Sequence, residues 1–200
     1  SLIIGLVVLL AIGNHVVSTL QIGSPMYREI IDGKDVIADV LPPPLFVTEA
    51  YMLSLETGAY PEKRVENAAK LAGLKKEFLE REAYWKREGL QPDEQAQLEN
   101  QVIPTGKAFW ALVEKTGLTE ANAAPEAAAA ALPAITKAFY THRTEVVKLV
   151  DIAAAHLTSV EAHARSSVAF WNVVAMIAAG LSMAGCILGG FLIRRRAIQP

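Results

Sequence analysis

The stretch from Val168 to Ile193 holds no charged residue, and Arg194, Arg195 and Arg196 follow it directly. A helix crosses the hydrocarbon core of a bilayer with about 20 apolar residues, and this stretch supplies them. Trp171 lies near its start, where interfacial aromatic rings sit, and the arginine triplet lies at its end. Lys and Arg stay on the cytoplasmic side of a membrane, so this span is expected to run from outside to inside. The competing reading, a core helix of a soluble protein, accounts poorly for the length of the run and for three consecutive arginines.

Leu2 to Leu20 forms a matching stretch, interrupted only by Asn14, His15, Ser18 and Thr19; the first charged residue is Arg28. The run is longer than the apolar part of a cleavable signal peptide, and no charged segment precedes it, so it reads as an anchor that stays in the membrane. Ser1 is not Met, and the chain is expected to begin inside a longer one. The expected layout is a first membrane helix over 1–22, an outer domain over 23–167, a second membrane helix over 168–193 and a short tail over 194–200. The chain is 52% hydrophobic, and the excess sits at its two ends. A net charge of −2 carries no nucleic-acid signal. Cys186, the single cysteine, lies inside the second span, which excludes an intrachain disulfide. The outer domain must be held by its own core, or by that core and a partner chain.

Between the spans, apolar residues recur at helical spacing and no strand alternation is seen. Ser24 followed by Pro25 suits a helix start, and the first helix is expected to continue to about Asp32. Pro42, Pro43 and Pro44 then remove three backbone donors and force extended geometry on the residues before them. The next helix is expected from Leu45 to about Thr57, and Gly58 to Pro61 reads as a turn. Pro61 opens a long charged helix to about Arg87, and another follows from Pro92 to about Lys115 with a kink at Pro104. Thr116-Gly117 is a stop. A last helix starts near Pro125 and is expected to run through Pro133 into the second span. Its seam (Leu132, Ile135, Phe139, His142, Val146, Leu149, Ala153, His156, Val160, His163) alternates three- and four-residue steps. The expected fold is therefore all-α: an up-down-up-down four-helix bundle whose first and fourth helices continue into two membrane helices.

Two features point to chemistry, and each has a plain alternative. The proline break either redirects the chain or opens a ligand pocket in which free carbonyls and nearby carboxylates hold a cationic or hydrogen-bonding molecule. The seam histidines His142, His156 and His163 either pack and hydrogen-bond at a helix interface or form a metal, haem or proton-responsive seam. Their spacing is too wide for one tetrahedral site on a single helix. The residues singled out for ligand binding are Asp39, Pro42, Pro43, Pro44, Glu49 and Tyr51, with His142 and Arg143 from the last helix. No catalytic residue, metal ligand or cofactor is assigned: there is no nucleophile motif, HExxH, CxxC or Gly-rich phosphate loop, which argues against an enzyme.

The two spans flanking an outer four-helix region resemble bacterial methyl-accepting chemotaxis receptors of the four-helix-bundle sensor type. The tail Arg196-Ala197-Ile198-Gln199-Pro200 looks like the opening of a HAMP linker. The Ala38 to Leu45 segment, with its three prolines, is similar to one found in sensor domains of such chemoreceptors. The resemblance implies a homodimer in the inner (cytoplasmic) membrane with a periplasmic ligand-binding domain. A small-molecule ligand would act through the second span on a HAMP and cytoplasmic signalling module beyond this chain. The aspartate receptors of that family bind with arginines on their first helix. Here only Arg28 and Lys34 supply positive charge before Lys63, so an amino-acid-carboxylate specificity does not carry over. A histidine kinase or cyclic-dinucleotide enzyme can share this input design, and a membrane scaffold without a ligand is the reading from a different class.

Overall fold

The computed structural model describes residues 2–20, 24, 27, 28, 30, 31, 34, 35, 45–87, 90–120 and 125–198. Helix is the only regular secondary structure among them: α1 (Leu2–Leu20), α2 (Thr48–Ala59), α3 (Arg64–Arg87), α4 (Pro92–Gln97), α5 (Ile103–Lys115) and α6 (Pro125–Ile198). The protein is all-α. A π-turn, Leu98–Val102, joins α4 and α5 into one rod, and a 3₁₀ turn, Pro61–Lys63, leads into α3. With that rod taken as one, the described residues hold five helices, one more than expected.

The chain divides into two compact units, residues 1–31 with 157–200, and residues 32–156. In the first unit, α1 packs against the C-terminal part of α6. A Cβ at Gly5 would collide with the Ser182 side chain, and His15 meets Trp171 with ring centroids 4.7 Å apart. Going forward on α1 from Gly5 to His15 goes backward on α6 from Ser182 to Trp171, so the pair is antiparallel. Ser18 and Thr19 each give their hydroxyl proton to the carbonyl of His15, which satisfies these two hydroxyls on the helix's own backbone. The most apolar 18-residue window of α6 has a mean hydropathy of 2.1, and none of it is buried. Large side chains such as Phe170, Leu181, Ile187 and Phe191 stand exposed on it. Helix α6 is thus long and apolar enough to cross a membrane. Ser24 acts as expected: its Oγ accepts from the N–H of Tyr27 at 3.2 Å, and its carbonyl accepts from Arg28 at 3.0 Å.

The second unit buries one continuous core. Leu45, Val47 and Leu53 meet Leu71, Phe78 and Trp85 of α3, Phe109, Trp110 and Val113 of α5, and the α6 seam. That seam holds as read from Ile135 through Val160, whereas His163 is exposed. Charged pairs at helical spacing line the outer face of α3, as at Lys70–Glu66 and Lys76–Glu80. Val65 and Leu79 also point to solvent.

Three helix boundaries differ from expectation. Helix α2 begins at Thr48, not Leu45, because Val47 takes a left-handed conformation (φ 49°) that no helix continues through. Gly58 stays helical, and the turn falls at Tyr60. The rod is disturbed before Pro104 rather than at it. The Ile103 N–H reaches back five residues to the Leu98 carbonyl, and Pro104, which has no N–H, fits the first turn of α5. The Gly117 stop is a two-bond cap. At φ 69° Gly117 donates to Glu114, and the Leu118 N–H donates to Val113.

Candidate functional site

In the core of the second unit lies His142, which has no exposed surface. The α6 seam carries it inward between Phe139 and Val146. Its Nε2 lies 2.6 Å from the carbonyl oxygen of Leu45. A carbonyl only accepts, so the proton of the neutral ring sits on Nε2. Nδ1 then faces the Thr105 hydroxyl at 3.0 Å and accepts from it. Thr105 lies in the first turn of α5, and its Oγ1 is also 2.6 Å from the Gln101 carbonyl and 3.0 Å from that of Val102. Burial pushes the imidazole below its ordinary value of 6.5, against the smaller upward pull of the Leu45 and Val102 carbonyls.

Gly106 makes room for this arrangement. A Cβ there would lie 2.5 Å from Phe78 Cζ and 3.1 Å from His142 Cε1. His142 therefore ties three segments together: the turn before α2, the start of α5, and α6.

One turn earlier on α6, Phe139 carries an aromatic cluster. Tyr51 stacks on it with centroids 4.2 Å apart and planes 8° from parallel, and the Tyr51 hydroxyl is 3.2 Å from Thr136 Oγ1. Phe46 and Tyr140 complete the cluster. Tyr140 is about half exposed and opens onto a shallow groove of about 400 Å³ lined with Arg143, Thr144, Val147 and Lys148. The Arg143 guanidinium stands at the surface of that groove.

The residues chosen from sequence thus separate. Tyr51 and Arg143 lie at the inner and outer ends of one aromatic cluster. His142 is sealed in the core beside it. Glu49 is exposed in the first turn of α2. Asp39, Pro42, Pro43 and Pro44 lie outside the described residues. Among the described residues no group of three or more His, Cys, Asp or Glu could hold a metal ion. His142 is hydrogen-bonded at a helix interface. Sequence reasoning missed the Leu45 carbonyl, Thr105 and Gly106. A signal for the last two was present, since Pro104-Thr105-Gly106 places a backbone break, a hydroxyl and a gap in a row.

A second polar node holds the outer side of the core. Glu82, nearly buried, accepts from Lys86 and Lys107, both at 2.7 Å. Burial alone would raise this carboxyl, but the two ammonium groups outweigh it and hold it below 4.5. Asn67, also buried, donates to Glu56 and to Thr57, tying α3 to α2.

Comparison with protein-family models, with curated proteins and with solved structures finds no match to this chain.

Proposed function

We propose that the chain is the sensing region of a two-pass bacterial chemoreceptor. On this reading residues 23–167 form a periplasmic up-down-up-down helical bundle. Helix α1 and the end of α6 cross the inner membrane, and residues 194–200 open a HAMP linker. The receptor is a homodimer, and its output module lies beyond Pro200. A small molecule bound to the outer domain changes its helix packing, and α6 passes the change inward. A ligand moves such an equilibrium only by its difference in affinity for the two states.

The observation that carries this reading is α6 itself. One uninterrupted helix supplies the buried seam of the helical unit, then an exposed apolar stretch, then an arginine triplet. The antiparallel contact with α1 supports a paired crossing. For the ligand we propose the aromatic cluster of Tyr51 and Tyr140 with Arg143, together with Glu49, Asp39, Pro42, Pro43 and Pro44.

The test is a thermal-shift screen of the whole chain in detergent against organic acids, amino acids, amines and divalent metals. A direct ligand at a hundredfold excess over its Kd adds about 2.7 kcal/mol to stability and raises Tm. The expected result is a shift with an organic molecule that Tyr51→Ala or Arg143→Ala abolishes. No shift with any of these classes would overturn direct sensing.

A further inference from the structure

We propose that His142 and Thr105 form a proton-operated latch, in which proton uptake at His142 Nδ1 hands the Thr105 hydroxyl proton to the π-turn between α4 and α5. The latch is a property of the outer fold and does not depend on the small-molecule reading. If both hold, the domain takes a second input, the acidity outside the membrane.

The Thr105 hydroxyl has one proton and three acceptors within reach: His142 Nδ1, the Gln101 carbonyl and the Val102 carbonyl. While the ring is neutral, Nδ1 is a bare acceptor and claims the proton, since Nε2–H is committed to Leu45. When a proton from water adds at Nδ1, that nitrogen becomes a donor. It then gives its proton to Thr105 Oγ1 or the Val102 carbonyl, and the hydroxyl rotates to Gln101. Both ring nitrogens have a partner in either state, so the histidine can charge inside the core without losing one.

The switched bond falls where the backbone is most easily reset. Gln101 and Val102 belong to the π-turn, and Pro104, just beyond it, supplies no N–H to the carbonyls of that turn. A π-turn is one residue away from regular α-helix, and such turns collect at functional sites. At the other end of the imidazole, the Leu45 carbonyl is two residues from Val47, whose left-handed backbone is costly for a β-branched side chain. Protonation strengthens the Nε2–H donor, so the same event tightens the hold on this strained turn.

Glu94, on α4, is buried; the other charged groups on the packing elements are engaged elsewhere or face outward. From α3, Glu82 bonds Lys86 and Lys107, the latter from α5. From α6, Glu145 takes Lys148 and Gln97, and Arg143 is exposed; from α2, Glu49 is exposed. The influences on the ring are burial and two backbone carbonyls, with no charged side chain among them.

The test uses the whole chain in lipid nanodiscs, from about pH 8 to about pH 5, the range in which histidine titrates. Histidine ring resonances report protonation, and amide hydrogen exchange, corrected for its intrinsic pH dependence, reports protection over residues 98–105. The expected result is a change in protection of about threefold or more that follows the His142 titration. Thr105→Ser keeps that change. Thr105→Val, which keeps the shape without the hydroxyl, leaves His142 titrating but uncouples the π-turn. His142→Gln removes both responses. The proposal is overturned if His142 stays neutral until the domain unfolds, or if Thr105→Val responds as the wild type does.

Discussion

At the scale of single residues, Gly106 shows how little tolerance the centre of the second unit has. Its missing side chain is the space into which Phe78 and His142 fit. Gly106→Ala would force the Phe78 ring off its position, and overpacking of this kind costs about 1–3 kcal/mol. Denaturant unfolding of the chain in detergent should show that loss. Phe78→Leu in the same chain should recover part of it, because the collision is with the end of the ring. Equal losses with and without Phe78→Leu would mean that the glycine serves the backbone rather than the packing. The sequence signals a break and a gap at Pro104-Thr105-Gly106, but not that Phe78 and His142 fill the gap, because both come from other helices. The histidine itself was legible as a seam residue. Its partner was not, because the Leu45 carbonyl lies 97 positions away and only the tertiary fold brings it to Nε2.

At the scale of elements, the rod from Pro92 to Lys115 carries the main departure from regular helix. Proline normally disturbs the turn before it, because it cannot donate and its ring crowds the preceding carbonyl. Here the chain absorbs both effects by widening one turn into a π-turn. Pro104→Ala restores the donor, and the turn is then expected to close to regular α-helix. Hydrogen exchange over residues 98–103 should slow, while overall stability changes by only about 1 kcal/mol, since the alanine chain also gains freedom when unfolded. Unchanged exchange there would show that packing, not proline, sets the π-turn.

Helix ends written in local chemistry were read well: the Ser24 cap, the Pro61 and Pro92 starts and the Gly117 stop all depend on neighbours a few residues away. The start of α2 was misplaced because the left-handed Val47 is imposed by burial of Leu45 and Val47 in the core, and a valine carries no local sign of it. The inward turn of Glu82 was missed for a similar reason. Its partner Lys107 comes from another helix, and a glutamate in a charged run reads as solvated.

At the scale of the whole molecule, these groups set how stability varies with pH. The folded state holds His142 below 6.5, so between that folded value and 6.5 the unfolded chain binds more protons. The stabilisation is complete above about pH 6.5 and is lost as pH falls towards the folded value. Glu82 and Glu145 are also held below their ordinary value of 4.5, and their contributions are present above about 4.5 and lost on further acidification. Acid unfolding should therefore show two successive declines. In His142→Gln the first should vanish and the second remain. A profile that is flat down to about pH 5 in the wild type would contradict this account.

The long α6 carries the largest claim, that one helix joins an outer sensing unit to the cytoplasm. Its direct test is sidedness. In a chain with Cys186→Ser, a single cysteine is placed at Lys76, an exposed position on α3, or at Ile198, beyond the arginine triplet. Intact cells with a permeable outer layer are treated with a membrane-impermeant maleimide. The account expects Lys76→Cys to be labelled at once, and Ile198→Cys only after the inner membrane is opened. Labelling of both positions from the same side would contradict it.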